Sequence, residues 1–305
     1  IQLVRNIIDT ARANNVDFLL AVGGGSVIDT AKAAAMGISY DGDVWDFFTG
    51  KAVPEKVLPI GAVSTIPASG SESSTATILS NGIHKIGFAV LDPEFTVSLP
   101  PYLTAAGISD ILSHLMERFF TNTEHVDTTD YLIIGAAKSL LINGERVMKD
   151  PSDYDSRAEI QWLATIAHNN SLDTGRETDW ASHRVEHELS AQYGINHGEG
   201  MAVVMLAYLR YVAQHHSEKT AQLAEQLFGI ERGDKTSGEM TLEMAGALEK
   251  YYKMLGLKTT LAEMGIDDKD FEDMADRATS NGTSTVGHYY PLDKEKFIDV
   301  LRLAL

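Results

Sequence analysis

The hydrophobic pattern of the chain changes near residue 100, and this change limits the possible folds more than any other feature. Before it, short apolar runs alternate with helical patterns, as is typical of β-α units around a parallel sheet. After it, apolar residues recur at helical spacing with little strand signal between them, which indicates helices. The sequence therefore predicts an α/β domain over residues 1–100 and an all-helical domain over residues 101–305.

Individual elements follow from the same patterns. In the first domain we predict helices over residues 2–14 and 27–36 and strands over 18–22, 57–64 and 88–91. In the second domain the periodic segments that predict helices are 103–120, 129–148, 156–173, 180–192, 200–214, 217–228, 238–255 and 268–279.

The composition excludes several classes of partner and site. A formal charge of −18 opposes binding to nucleic acids and anionic membranes, because both rely on cationic patches. No apolar run approaches the roughly eighteen residues that a membrane helix needs. The chain has no cysteine, which excludes disulfides and thiolate metal ligands and fits a cytoplasmic enzyme. We expect a cytoplasmic protein without nucleic-acid or membrane partners.

A glycine-rich turn follows the first predicted strand. Gly24 and Gly25 leave backbone N–H groups unobstructed at the start of a helix, where the free amides and the helix dipole favour a phosphate or pyrophosphate. We expect Ser26 to cap this helix, with Asp29 completing an arrangement like a capping box. A tight turn without a ligand is the alternative, because the motif is not GxGxxG.

A second polar loop, over residues 64–72, follows the next long predicted strand. It lies at the carboxyl end of that strand, the edge at which open α/β sheets bind ligands. The hydroxyl groups of Thr65 and Ser69 are suited to contact phosphate or ribose. Together with the glycine turn, this loop favours a nucleotide.

Carboxylate and imidazole side chains recur at helical spacing in the second domain. Asp110 and His114 are four residues apart, so both project from one helix face, and His183 and His187 repeat this spacing. His197 follows after a glycine-containing turn. These hard-to-borderline ligands suit Fe²⁺, Zn²⁺ or Mn²⁺. Spacing alone leaves His183, His187 and His197 all open as ligands, and a simple surface hydrogen bond remains the alternative for Asp110 and His114.

A competing motif overlaps this cluster. Residues 183–187 match the H-x-x-E-H pattern of inverzincin metalloproteases, in which Glu186 would act as general base. Such an enzyme has no use for a β-α domain with a phosphate-binding turn. The pattern is short and arises by chance, so we rank this interpretation lower.

Several stretches match one known family in their order along most of the chain. They are Ala21-Val22-Gly23-Gly24-Gly25-Ser26-Val27-Ile28-Asp29, Pro67-Ala68-Ser69-Gly70-Ser71-Glu72-Ser73, Val90-Leu91-Asp92-Pro93, Gly107-Ile108-Ser109-Asp110 with His114, Asp179-Trp180-Ala181-Ser182-His183 with His187-Glu188-Leu189, and His197-Gly198. On these residues the chain resembles the iron-containing (group III) alcohol dehydrogenases, in particular their butanol dehydrogenase and broad aldehyde reductase branch. The resemblance implies a Rossmann-like α/β lobe followed by an all-α domain, a dehydroquinate synthase-like architecture.

The resemblance also implies the roles of particular residues. The family's metal ligands fall on Asp110, His114, His183 and His197, which would hold one divalent ion, Fe²⁺ or Zn²⁺, and His187 matches a histidine near the nicotinamide with a proton-relay role. The residues that would contact NAD(P)H are Gly24, Gly25, Ser26, Asp29, Thr65, Ser69, Lys85 and Leu103. The implied reaction is hydride transfer between NAD(P)H and a small primary alcohol or aldehyde, whose oxygen the metal polarises. Members of the family generally form homodimers through the sheet lobe.

The chain departs from the family at two places. The family's opening β-α-β unit, with the position that discriminates NADH from NADPH, has no counterpart before Ile1, so we expect the first lobe to lack it. After residue 88, relatives carry a longer hairpin segment.

Other enzymes and a non-enzyme remain as alternatives. A dehydroquinate synthase-like enzyme would need basic residues for a phosphorylated substrate, and the sequence near the cluster offers only Arg118, Arg176 and Arg184. A glycerol dehydrogenase-like enzyme is a second alternative. If the first lobe is truncated, a metal-binding protein without activity is a third.

Overall fold

A computed structural model of the chain describes residues 1–74 and 86–305. The chain forms two compact units, one of residues 1–99 together with 152–171, the other of residues 100–151 together with 172–305. The first unit thus takes a segment from beyond residue 100. The predicted fold class, an α/β lobe followed by a mostly helical domain, is confirmed.

The first unit contains a parallel sheet. Its strands in the described part are β1 (Leu19–Gly23), β2 (Ile60–Ser64) and β3 (Phe88–Leu91), in the order β1-β2-β3. Ala21 of β1 pairs with Ala62 of β2, which pairs with Ala89 of β3. All three predicted strands are confirmed. The second is shorter than predicted because it begins only after Pro59, which has no N–H for the ladder.

Helices form the main core of the first unit. They are α1 (Gln2–Ala13), α2 (Gly25–Ile38), α3 (Trp45–Phe48) and α6 (Tyr154–His168), with a short 3₁₀ helix at Pro93–Thr96. One of them, α2, packs on β1 and β2. Val4 and Ile8, one turn apart on α1, pack with Met36 of α2 and Phe47 of α3. Helix α3 was not predicted, because four residues are too few to show a helical period.

The second unit is built mainly of helices, with an isolated antiparallel bridge between Val286 and Leu292. Its α-helices are α4 (Pro101–Phe119), α5 (Asp127–Lys149), α7 (Ala181–Tyr193), α8 (His197–His215), α9 (Glu218–Phe228), α10 (Ser237–Met254), α11 (Phe271–Ala278) and α12 (Lys294–Leu303), with a 3₁₀ turn at Ala262–Met264. Helix α8 is buried on every side from Gly198 to Leu209 and packs against α4, α7, α10 and α12. It is therefore the central helix of this unit. No described helix has the length and apolar character to cross a membrane.

Helix α12 is the longest element that the sequence analysis missed. It begins after Asp293, whose side chain accepts a hydrogen bond from the Lys296 N–H at 3.0 Å. It buries Phe297, Val300 and Leu301. An N-cap residue followed by apolar residues at helical spacing was a usable signal.

Candidate functional site

Helix α4 carries the first two residues of the predicted metal cluster. Asp110 and His114 lie one turn apart on a stretch of α4 that is buried almost without interruption from Thr104 to Phe119. The Asp110 side chain is 4% exposed and that of His114 is 13% exposed. Removing a carboxylate from water this completely is costly unless a positive group compensates it.

Three imidazoles converge on this carboxylate. The Asp110 Oδ1 atom lies 3.4 Å from Nε2 of His114, 3.7 Å from Nε2 of His183 and 3.5 Å from Nε2 of His197. The two Nε2 atoms of His114 and His183 are 3.0 Å apart. Among the described residues, Oδ1 accepts no hydrogen bond of acceptable geometry. One carboxylate oxygen and three imidazole nitrogens around one point are a donor set that fits Fe²⁺ or Zn²⁺.

The charges of the cluster depend on one another. Burial alone would raise the pKa of Asp110, but the charge of His197 and the nearby imidazoles hold this pKa well below its usual range. Burial would likewise lower the pKa of His197, yet Asp110 and Glu186 raise it well above the usual value. The site therefore concentrates negative charge that a cation can neutralise.

Two buried glutamates contact the far side of the histidine rings. Glu117, on α4, pairs with Nδ1 of His183, and Glu186, on α7, pairs with Nδ1 of His197. Both carboxylates are fully buried. Glu117 was not predicted as a site residue, although it lies seven residues after Asp110 and thus on the same helix face.

The position of Glu186 excludes the protease interpretation of the H-x-x-E-H motif. One of its oxygens pairs with His197, and the other accepts a hydrogen bond from the Ser190 hydroxyl at 2.5 Å. A general base needs a carboxylate oxygen that can reach water and substrate. Because Glu186 is fully buried and engaged at both oxygens, it cannot take that role.

Two glycines allow α8 to approach the cluster. A Cβ on Gly198 would lie 2.0 Å from the carbonyl oxygen of Ala106 on α4, so only glycine permits this helix contact. A Cβ on Gly200 would lie 2.5 Å from Oε1 of Glu186. His197 is the first residue of α8, whose N-cap residue is Asn196. The close packing at the start of α8 thus brings His197 to Asp110.

His187 lies beside the cluster. Its ring centroid is 5.5 Å from that of His197 and 6.2 Å from that of His183. Although the residue is exposed, desolvation of the ring and the nearby charges of His197 and His183 lower its pKa to about 4. The imidazole of His187 is therefore neutral at pH 7.

Two of the three arginines near the cluster, Arg118 and Arg176, are already engaged, and the third, Arg184, is exposed. Arg118 pairs with Asp173 at 2.8 Å, lies over the Trp180 ring, and places Nη1 3.2 Å from Nδ1 of His114. Arg176 pairs with buried Asp130 at 2.8 Å. Neither guanidinium is available to a phosphorylated substrate.

In the first unit, the two predicted nucleotide loops are adjacent at the carboxyl ends of β1 and β2. The Thr65 N–H donates to the Gly23 carbonyl oxygen at 3.1 Å. A Cβ on Gly25 would lie 2.4 Å from the Ser69 hydroxyl oxygen, so glycine is required for this approach. Helix α2 begins at Gly25 and presents its first turn at this place.

The predicted cap of α2 is wrong. The N-cap residue is Gly24, whose extended backbone starts the helix before Ser26, and no side chain caps it. Ser26 lies exposed in the first turn. The Asp29 carboxylate does not complete a capping box; its Oδ1 accepts a hydrogen bond from the Ser71 hydroxyl at 2.7 Å. Asp29 therefore connects α2 to the second loop.

A buried lysine, also missed in the sequence, joins the same loop to α2. Lys32 donates to the Ser71 hydroxyl at 2.9 Å and to the Ser74 carbonyl at 3.0 Å, and lies 3.9 Å from Asp29. Burial lowers the pKa of Lys32 to about 8, against the opposing charges of Asp29 and Glu72. Lys32 thus stabilises the loop at an electrostatic cost.

Two further cofactor contacts were predicted, Lys85 and Leu103. Lys85 lies outside the described residues. Leu103 lies half-buried in the first turn of α4, in the second unit.

Comparisons with known proteins match each of the two regions of the chain to the same family. The family profile described as iron-containing alcohol dehydrogenase matches residues 1–99, and that of the C-terminal region of the Fe-containing alcohol dehydrogenase family matches residues 104–305. Over 305 residues the chain is 35% identical to the probable NADH-dependent butanol dehydrogenase 1 of Bacillus subtilis, covering 96% of this chain and 78% of that protein. It is 31% identical to the NADPH-dependent aldehyde reductase YqhD of Escherichia coli, covering 95% of this chain and 78% of that protein.

A solved structure shows the same similarity to butanol dehydrogenases. The crystal structure of NADH-dependent butanol dehydrogenase A from Thermotoga maritima superimposes with a TM-score of 0.91 at 32% identity, covering 99% of this chain and 79% of that chain. Two family profiles cover nearly the whole sequence, and the chain covers most of the length of relatives to which it is more than 30% identical. The chain belongs to the iron-containing alcohol dehydrogenase family.

Proposed function

We propose that the protein is a metal-dependent alcohol dehydrogenase or aldehyde reductase that transfers hydride between NAD(P)H and a small primary alcohol or aldehyde. The observation that carries the proposal is the convergence of three imidazole Nε2 atoms on the buried Oδ1 of Asp110. Family membership supports the reaction class, since relatives include butanol dehydrogenases and an aldehyde reductase.

We assign Asp110, His114, His183 and His197 as ligands of one divalent ion, Fe²⁺ or Zn²⁺. When bound, such an ion supplies Lewis-acid polarisation of a substrate oxygen. The chain would contribute one negative charge and three imidazoles as ligands. Asp110 and His183 are almost fully buried, whereas the His197 side chain is partly exposed. This donor set serves either metal.

We assign His187 the role of proton relay to the substrate oxygen. Its ring lies next to His197 yet reaches the surface, so it can contact both the site and bulk water. A pKa of about 4 keeps it neutral at pH 7, with one nitrogen free to accept a proton while the other donates one. It therefore passes protons without holding a charge beside the cation.

We assign residues 1–100 to NAD(P)H binding. The first-turn amides of α2, at Gly25 and Ser26, have no carbonyl acceptor within the helix and suit a pyrophosphate. Gly24 and the hydroxyl groups of Thr65 and Ser69 adjoin them. Lys85 and Leu103 stay predicted contacts of NAD(P)H, and the homodimer stays a prediction.

The competing functions are less well supported. A dehydroquinate synthase-like reaction needs several free cations for phosphate. Arg118 and Arg176 are paired with Asp173 and Asp130, which leaves Arg184 alone of the three arginines named for this alternative. A metal-binding protein without activity would have no need of the adjacent glycine and hydroxyl loops. Titration with NADH and NADPH, followed by nicotinamide fluorescence, separates the non-catalytic protein from both enzymes, since only that protein would bind neither cofactor.

The test of the assignment is metal analysis of variants purified without oxygen. His183→Ala and His197→Ala are expected to lose the bound metal, whereas exposed His288→Ala, the matched control, retains it. Full metal stoichiometry in either of the first two would remove that residue from the ligand set. His187→Ala should retain metal but reduce butanal slowly, and loss of metal in this variant would make His187 a ligand.

A further inference from the structure

We propose that Glu117 and Glu186 are positioning residues that hold His183 and His197 with the proton on Nδ1 and the lone pair of Nε2 directed at the metal site. We further propose that they differ, because Glu117 requires a carboxylate whereas Glu186 can be replaced by an amide. The inference rests on the proposed function, since it concerns the metal that the cluster would bind.

The first step concerns the tautomer of His183. An ionised carboxylate can only accept hydrogen bonds, so the Nδ1 atom that pairs with Glu117 must carry a proton. In a neutral imidazole this leaves the lone pair on Nε2. That nitrogen lies 3.7 Å from Asp110 Oδ1. Glu117 thus fixes both the ring orientation and the ligand atom of His183.

The same argument applies to His197. Its Nδ1 pairs with Glu186, and its Nε2 lies 3.5 Å from Asp110 Oδ1. The side chain of His197 is 34% exposed, against 5% for His183, so packing restrains its ring less and the pairing with Glu186 matters more for its orientation. Glu186 itself is fixed by burial beneath Gly200, where a Cβ would lie 2.5 Å from its Oε1.

The two glutamates differ in what contacts their second oxygen. Oε1 of Glu117 accepts the backbone N–H of Ser182 at 2.6 Å and that of His183 at 3.3 Å. With His183 Nδ1 on the other oxygen, every partner of Glu117 is a donor. A glutamine here would place its NH₂ group either against the two backbone N–H donors or against Nδ1 of His183. In the first case buried donors lack an acceptor, and in the second Nδ1 must accept, which moves the imidazole proton to Nε2, the proposed ligand atom.

Glu186 has a partner that can reverse its role. Its Oε1 accepts from the Ser190 hydroxyl, which also lies 3.4 Å from the Ile195 carbonyl oxygen. In Glu186→Gln, the new NH₂ can donate to the Ser190 oxygen while the hydroxyl donates to Ile195. The amide oxygen still accepts from His197 Nδ1, so the network remains complete.

The experiment compares Glu117→Gln, Glu186→Gln and the double variant Glu186→Gln/Ser190→Ala. Zn²⁺ affinity is measured by competition with a chromophoric chelator, and ligand geometry is followed through the visible absorption of bound Co²⁺. Circular dichroism and urea unfolding report whether each variant folds.

We expect Glu186→Gln to bind Zn²⁺ much as the wild type does and to keep its Co²⁺ spectrum. Glu117→Gln should lose about 10- to 100-fold in affinity, the usual effect of removing a residue that orients a metal ligand. The double variant should lose a similar factor in Zn²⁺ affinity, because alanine at position 190 cannot accept a hydrogen bond from the new amide. This arm tests the proposal even where Glu117→Gln does not fold.

Equal affinities and spectra in all three variants would overturn the inference while leaving the proposed function intact. A Glu186→Gln loss as large as that of the double variant would overturn the difference between the two glutamates. A wild-type protein that binds neither Zn²⁺ nor Fe²⁺ would instead contradict the proposed function itself, so the two failures are distinguishable.

Discussion

Substituting Gly198 by alanine is expected to disturb the metal site through the backbone alone. The added Cβ would lie 2.0 Å from the Ala106 carbonyl oxygen and 2.6 Å from its carbonyl carbon, whereas real Cβ contacts are essentially never below 3.0 Å. Because these neighbours are backbone atoms of a buried helix, α8 and α4 must separate by at least 1.0 Å at this point. His197 is adjacent to Gly198, and Asp110 is one turn from Ala106, so the two proposed ligands separate as well.

The magnitude follows from two opposing terms. Overpacking of this kind costs about 1–3 kcal/mol, and replacing a helical glycine by alanine returns up to about 1 kcal/mol. We expect a net loss of about 1–2 kcal/mol in the free energy of unfolding. Metal ligand distances tolerate only about 0.2 Å of error, so Zn²⁺ affinity should fall by at least about tenfold.

Gly246→Ala is the matched control. Gly246 lies within α10, and a Cβ there would meet no atom within 4 Å. This variant should gain about 0.5–1 kcal/mol and bind Zn²⁺ as the wild type does. Urea unfolding and chelator competition measure both quantities. If Gly198→Ala bound Zn²⁺ as tightly as Gly246→Ala, the coupling between helix packing and ligand geometry would be refuted.

Two further predictions follow from the contacts of single residues. The pKa of Lys32 is lowered to about 8, so the folded state binds this proton less tightly than the unfolded state, and stability should rise as pH increases from about 8 towards 10. Between about pH 7.5 and about 9.5, the free energy of unfolding of the wild type should rise by about 2 kcal/mol more than that of Lys32→Met. The exposed Lys51→Met variant should behave as the wild type does. An equal pH dependence of stability in wild type and Lys32→Met would contradict this prediction. His114→Ala should cost less Zn²⁺ affinity than His183→Ala, because Arg118 can only donate to Nδ1 of His114 and so favours the tautomer with its proton on the ligand atom Nε2. The reverse order in a chelator competition would show that Arg118 does not oppose ligation.

Spacing within single helices was the most informative feature of the sequence. The separation of Asp110 and His114 by four residues placed both on one face of α4, and the structure brings them together. The three histidines at 183, 187 and 197 could not be distinguished in this way. Their positions depend on the angle between α7 and α8, which is set where α7 ends at left-handed Gly194 and where Gly198 contacts α4.

Residues that act through others were the least predictable. Glu117 lies on the same face of α4 as Asp110, but a glutamate at that spacing is not by itself a sign of a residue that orients a metal ligand. Glu186 was noticed only as part of a protease motif, and its burial against His197 is a tertiary property. Lys32 lies in the middle of α2, and its neighbours along the chain do not indicate that it is fully buried. Its burial depends on the second nucleotide loop, through the contact with Ser71.

The association of α6 with the first unit also could not be predicted from the sequence. Its periodicity predicted a helix correctly, but periodicity does not specify which core the apolar face joins. In the structure, Gly70 approaches α6 so closely that a Cβ would lie 2.5 Å from the His168 side chain and 2.7 Å from the Ala164 carbonyl oxygen. The second predicted nucleotide loop therefore packs on a helix that lies far from it along the chain.

The most direct test of the central claim is to measure butanal reduction and bound metal together as the metal is removed and restored. The account predicts that chelation abolishes NAD(P)H oxidation and that one equivalent of Fe²⁺ or Zn²⁺ per chain restores it in proportion to the ion bound. It predicts that His197→Ala is not restored by the same addition. Undiminished butanal reduction by protein from which the metal has been removed would contradict the account.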